Sequence, residues 1–123
     1  MNYLSNNLVE EAHKHVTVVS LEKADKMRIQ GIQIIDVREE AEYDQEAIPG
    51  AANIPRSVME FLLGEHLGEE YRSIPYLVYC RSGGRAALAA VTMKQMGYSE
   101  VYAMEKGFMD WKNEGRAVIA NPD

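Results

Sequence analysis

Cysteine is almost missing: Cys80 is the single one among 123 residues. No disulfide can form within the chain, and a structural zinc site built from several cysteines is excluded. Histidine is nearly as scarce. His13, His15 and His66 are too scattered for a metal cluster, and His13 and His15, two apart, amount at most to a weak metal pair on a strand. Basic charge is also short, with 13 Lys and Arg against 19 Asp and Glu and a net charge of −6. Phosphate contacts need a basic surface, so nucleic acid is not an expected partner. No apolar run reaches the length that spans a bilayer, and no membrane association is expected. The segment from Met1 to Lys14 carries Glu10 and Glu11 instead of an apolar stretch and does not read as a signal peptide. The expected compartment is the cytoplasm, where a lone thiol stays reduced.

What is present suffices for one domain. Hydrophobic residues make up 46% and charged residues 26%, a globular balance. Residues 1–14 are polar and read as an arm or a short helix, and 15–123 read as a single domain. Val16-Thr17-Val18-Val19 is β-branched and reads as a strand. Ser20 then stands as an N-cap before a helix from Leu21 to Ile29, with Gly31 past its end. Ile32 to Val37 is a second strand and Arg38 to Tyr43 a short helix. Ile48-Pro49-Gly50-Ala51 is a turn. A helical stretch is expected from Val58 through Tyr71, interrupted near Gly64 and Gly68. Tyr76 to Tyr79 is a third strand, Arg85 to Met96 an alanine-rich helix ended by Gly97, Val101 to Met104 a strand, and Phe108 to Asn113 a last helix. Strands alternating with helices predict an α/β fold, with a mostly parallel sheet of about five strands covered on both faces.

Cys80 falls at the carboxyl end of the third strand, where open α/β sheets bind ligands. Cys80-Arg81-Ser82-Gly83-Gly84-Arg85 follows. Gly83 and Gly84 permit backbone conformations that other residues avoid, and the amides of a turn that opens a helix form an anion-binding nest. Those dipoles, with Arg81 and Arg85, favour thiolate over thiol at Cys80, and the same cradle suits a terminal persulfide anion. A buried, inert cysteine has no use for two arginines and two glycines in the next five positions. Arg81 is the candidate for attracting an anionic donor. Arg85 either binds the donor or pairs with a carboxylate that shapes the loop, and Ser82 is either a donor to the bound anion or a plain turn serine. Asp36 and Arg38, at another strand end, are read as supporting residues near the site, with Arg38 paired to a carboxylate such as Glu42. Trp111 reads as a core anchor, most methionines as core filler, and Met104 as a residue lining the pocket.

These residues resemble a known family. Asp36-Val37-Arg38-Glu39, Glu42-Tyr43 with Ile48-Pro49-Gly50-Ala51 and Asn53-Ile54-Pro55, the loop Cys80 to Arg85, Gly97-Tyr98 through Val101, and Gly107 with Trp111 resemble, in order, the motifs of single-domain rhodaneses. The chain departs from the pattern at Glu46 and Ala47, where the family often has Gly-His, and at Lys106, where it often has glycine. The resemblance implies a three-layer sandwich and a sulfurtransferase without cofactor or metal. Cys80 takes a sulfane sulfur from a small anionic donor, thiosulfate or a persulfide. It passes that sulfur to a thiol or cyanide, or to a sulfur-accepting protein. Cysteine phosphatases of similar fold have a loop one residue longer, and the tighter loop here suits a single sulfur better than a tetrahedral phosphate. A sulfur carrier without turnover, or a partner-binding module, is the remaining alternative.

Overall fold

The computed structural model describes residues 2–66 and 69–122. In chain order it contains α1 (Asn2–His15), β1 (Thr17–Val19), α2 (Leu21–Ile29), β2 (Gln33–Asp36), α3 (Glu40–Gln45), β3 (Glu46–Ala47) and β4 (Ala51–Asn53). A 3-10 turn (Arg56–Val58), α4 (Met59–His66) and a second 3-10 turn (Glu69–Arg72) follow, then β5 (Tyr76–Tyr79), α5 (Gly84–Gln95), β6 (Val101–Met104), α6 (Phe108–Asn113) and β7 (Ile119–Ala120). Five strands form a parallel sheet in the order β1-β6-β5-β2-β4, as the alternation of elements predicts.

Side-chain alternation along β5 sorts the core into two halves. Tyr76 and Val78 join Met59 and Leu63 of α4 and Ala86, Ala89, Ala90 and Met93 of α5. Leu77 and Tyr79 turn to the other face, against Leu21, Ala24 and Met27 of α2 and Phe108 and Trp111 of α6. Successive strand residues point to opposite faces, so a strand buried on both sides reads as continuous apolar sequence, and Tyr-Leu-Val-Tyr does. Trp111 is fully buried, with its indole N–H donating to the Ala117 carbonyl at 2.7 Å.

Local signals place several ends. Ser20 caps α2, its Oγ accepting the Lys23 N–H at 3.1 Å. Ser20→Ala is expected to cost about 1 kcal/mol, read as a small drop in unfolding midpoint with urea. The Ile48–Ala51 turn closes with the Ala51 N–H on the Ile48 carbonyl at 3.1 Å. α4, by contrast, runs through Gly64 without the expected break. A helical glycine costs only about 1 kcal/mol, and Met59 and Leu63, both fully buried, hold this helix to the core. Gly68 lies outside the described residues.

Three further features complete the fold. His13 and His15 fall on α1, not on a strand, and residues two apart on a helix do not share a face. Among the described residues no group of three or more His, Cys, Asp or Glu is placed to hold a metal ion. β3 and β7 form a separate antiparallel ribbon, Glu46 opposite Ala120 and Ala47 opposite Ile119. Two-residue strands so far apart in sequence leave no periodic trace. α1 packs beside α5, where Ala12 is buried and the Lys94 ammonium reaches the His15 carbonyl at 3.4 Å. Among the described residues no helix is long and apolar enough to cross a membrane.

Candidate active site

Cys80 continues the alternation of Tyr76 and Val78 and is 1% exposed within the α5-side core. Although Cys80 begins the loop at the strand's end, its side chain belongs to the core: the strand's side-chain period carries one residue past its last ladder bond. Its surroundings are nevertheless polar on one side. Cys80 Sγ accepts the backbone N–H of Gly83 at 3.0 Å and of Ala86 at 3.3 Å. One donor comes from the loop and the other from the first turn of α5. Within Arg81–Arg85 the bond to the sulfur comes from Gly83, and Ala86, just beyond the expected loop, supplies the second.

Neighbouring backbone gives the loop its shape. The Phe108 N–H donates to the Cys80 carbonyl at 2.8 Å and the Met109 N–H to the Arg81 carbonyl at 3.4 Å. The first turn of α6 therefore holds the loop's carbonyls while the amides further along turn inward. Gly83 adopts φ +104°, a region that disfavours side chains, and a Cβ there would lie 2.8 Å from the Glu105 carbonyl oxygen. Gly107 is tighter still. A Cβ on it would fall 1.9 Å from the Arg81 oxygen and 2.3 Å from the Ser82 nitrogen. Arg81 and Ser82 are exposed. Gly84 has ordinary space, its nearest neighbour being Val9 Cγ2 of α1 at 3.6 Å.

Arg85, half-buried, points to carboxylates: Glu42 at 3.6 Å and Glu39 at 4.0 Å. Of the two roles open to it, the structure favours holding α3 against the loop. Arg38 does not pair with Glu42. Its partner is Asp36, Nη2 to Oδ2 at 2.8 Å, with Arg38 4% and Asp36 0% exposed. Asp36 Oδ1 also takes the Arg38 backbone N–H at 2.8 Å, and Oδ2 takes the Tyr79 hydroxyl at 2.6 Å. The Tyr79 oxygen in turn accepts the Ile48 N–H at 3.1 Å. Arg38 Nη2 reaches the Glu46 carbonyl at 2.7 Å, and the guanidinium carbon lies 4.2 Å from the Phe108 ring centre. Burial alone would lower the Arg38 pKa, but the hydrogen bond and charge of Asp36 outweigh it and raise it. Burial, then the Asp36 charge, push the Tyr79 phenol far up, so it stays a donor. A buried ion pair needs its remaining valences satisfied; Tyr79, itself held by Ile48, does so at Asp36 Oδ2, and the Glu46 carbonyl does so at Arg38 Nη2.

Met104 does not line a pocket; it is fully buried with Phe108 and Trp111. Glu46 and Ala47, the positions departing from the family pattern, have structural work here. Glu46 supplies the carbonyl for Arg38 and a carboxylate paired with Lys112, and Ala47 is buried in the β3–β7 ribbon. Tyr79, Ala86, Phe108 and the close approach at Gly107 escaped the sequence reading. The signal for Tyr79 is its register opposite Asp36, which appears only once β2 is paired with β5.

A sequence model of the rhodanese-like domain matches residues 20–114 of this chain. The chain belongs to the rhodanese-like domain family. α1 precedes the part this family match covers. Among curated relatives, a putative sulfur carrier protein of Bacillus subtilis is 34% identical over 82 residues, covering 67% of this rhodanese-like chain. The match spans 42% of that relative, less than half its length. A thiosulfate sulfurtransferase of Pseudomonas paraeruginosa is 30% identical over 96 residues, covering 77% of this chain and 83% of that one. A solved structure from Rhodopseudomonas palustris, described as a protein of unknown function and possible tyrosine phosphatase, superposes with a TM-score of 0.82 at 27% identity, covering 94% and 93% of the two chains. Rhodanese-type sulfur transfer in general is the chemistry that the names of the first two carry.

Proposed function

We propose that this rhodanese-like domain is a sulfurtransferase that moves a sulfane sulfur from an anionic donor, thiosulfate or a persulfide, to a thiol or cyanide through a Cys80 persulfide. The observation that carries the reading is the pair of amides, Gly83 and Ala86, directed at Cys80 Sγ at 3.0 and 3.3 Å. Backbone N–H groups can make charge-assisted hydrogen bonds to an anionic persulfide held there. In the first step the Cys80 thiolate attacks the outer sulfur of thiosulfate. The donor's S–S bond breaks, its electron pair leaves with sulfite, and Cys80 holds the persulfide anion. In the second step the acceptor attacks the outer sulfur and the electron pair returns to Cys80 Sγ. Such double displacement is covalent catalysis with ping-pong kinetics, and it calls for no cofactor or metal.

Arg81 is proposed to attract the anionic donor and Ser82 to flank it. Gly83, at positive φ, lets the loop bend and Gly84 opens α5, Arg85 fixes the loop to α3, and Asp36 with Arg38 supports it. Residues 15–123 constitute the sulfur-transfer domain in this reading, with α1 as an added cover on α5. The lone thiol suits a reducing compartment such as the cytoplasm.

Three relatives' names suggest three readings, and the loop separates two of them. Between Cys80 and Arg85 stand four residues, one fewer than in the phosphatase loop, and Arg85 is drawn to Glu39 and Glu42 instead of standing free to clamp phosphate. The test is intact mass after thiosulfate treatment. A gain of one sulfur, discharged by cyanide and absent from Cys80→Ala, supports transfer, and sustained thiocyanate formation separates an enzyme from a carrier. Turnover of an aryl phosphate that depends on Cys80 would refute the assignment.

A further inference from the structure

A cleft of about 230 Å³ opens beside the Cys80 loop, lined by Arg38, Arg81, Glu42, Glu46, Phe108 and Met109 among others. It adjoins the reacting residue through backbone, since Phe108 and Met109 bind the carbonyls of Cys80 and Arg81. Both rim carboxylates already have cations: Glu46 pairs with Lys112, and Glu42 shares Arg85 with Glu39, which stands outside the cleft. Arg81 has no carboxylate within ion-pair distance among the described residues. Arg38, 4% exposed, spends Nε on Asp36 and Nη2 on Asp36 and the Glu46 carbonyl. Its Nη1 makes no hydrogen bond among the described residues and is not a buried orphan, so it is left to face the cleft that Arg38 lines. The cleft therefore offers two guanidinium groups with donors to spare, next to the apolar faces of Phe108 and Met109.

We propose that this cleft holds the carboxylate of the sulfur acceptor, which makes the acceptor a small mercapto-carboxylate. The inference rests on the sulfurtransferase reading above and names the chemistry of its second substrate. A planar carboxylate matches guanidinium forks, and a short methylene stem matches Phe108 and Met109. At about 230 Å³ the space exceeds what thiosulfate fills. Donor and acceptor visit in turn, so Arg81 serves both. The acceptor thiolate attacks the outer sulfur of the Cys80 persulfide, a new S–S bond forms, and the old bond's electron pair returns to Cys80 Sγ. The product is the acceptor's persulfide.

The experiment isolates the second step. The full chain is loaded with thiosulfate, desalted and checked by intact mass. It is then mixed under single-turnover conditions with 3-mercaptopropionate, 2-mercaptoethanol or cysteamine, compared at equal thiolate concentration. The carboxylate thiol is expected to discharge the persulfide about tenfold faster than the neutral one, a factor equivalent to about 1.4 kcal/mol, with cysteamine slowest. Arg81→Gln should bring 3-mercaptopropionate to within about twofold of 2-mercaptoethanol, read as a ratio within the loaded variant. Met109→Glu should invert the order in favour of cysteamine and carries the test if Arg81→Gln does not load. Equal rates for the three thiols on loaded wild type, or a preference unchanged in the variants, would overturn this inference and leave the sulfurtransferase reading standing. Failure of the wild type to load would overturn both.

Discussion

Cys80→Ser is expected to abolish sulfur transfer, by at least about a thousandfold, while leaving a folded protein. A serine hydroxyl does not ionise near neutral pH and cannot hold a sulfane sulfur, so no persulfide forms. The fold has reason to survive. Cys80 is 1% exposed in the core, but Gly83 and Ala86 already point N–H groups at the position. A serine oxygen can accept those bonds, so the exchange should cost about 1 kcal/mol, not the larger penalty of an unpaired buried hydroxyl. Thiocyanate formation from thiosulfate and cyanide, with a thermal melt of the same sample, reads both halves. Transfer at the wild-type rate in a folded Cys80→Ser protein would remove Cys80 from the mechanism.

Among the glycines whose surroundings are described, Gly107→Ala should be the most damaging added methyl. The added Cβ would sit 1.9 Å from the Arg81 oxygen and 2.0 Å from the Arg81 carbonyl carbon. Those atoms are backbone, so no side chain can swing aside. Either the Cys80 loop lifts away from α6, breaking the Phe108-to-Cys80 and Met109-to-Arg81 bonds, or the start of α6 shifts. The expected loss is about 3 kcal/mol or more of stability, with weak or absent persulfide loading in whatever remains folded. Gly84→Ala is the control. Its added Cβ meets only Val9 Cγ2 at an ordinary 3.6 Å, and alanine favours the helix, so its stability should stay within about 0.5 kcal/mol of wild type or rise. Urea midpoints for the two variants give the comparison; equal midpoints would show that the loop does not bear on Gly107.

Local regularities account for what was legible without coordinates. The apolar run at Tyr76–Tyr79, the cap at Ser20 and the alanines after Gly84 each act through neighbours a few residues away. They located the parallel sheet, its covering helices and the loop after Cys80. The N-cap bond from Lys23 to Ser20 and the span of α6, Phe108–Asn113, agree with that reading. The same logic, carried one step further along β5, would have put Cys80 in the core.

Where the reading went astray, the deciding partner lay far off in the chain or faced an unforeseen direction. The sequence reading pairs Arg38 with a carboxylate such as Glu42. Asp36 wins because the carboxylate is buried beside Arg38 and held by Tyr79 from the neighbouring strand. The β3–β7 ribbon joins Glu46–Ala47 to the distant Ile119–Ala120, and Arg85 turns to Glu39 and Glu42 because α3 lies alongside the loop.

The amino-acid order alone therefore determined the α/β alternation, the family motifs and a cysteine at a strand's carboxyl end, since propensity, side-chain period and turn chemistry act over short spans. Tertiary structure alone decided which amides meet the sulfur, which carboxylate holds Arg38, and why Gly107 admits no side chain. Those depend on atoms brought within a few ångströms by packing, a distance that spacing along the chain does not encode.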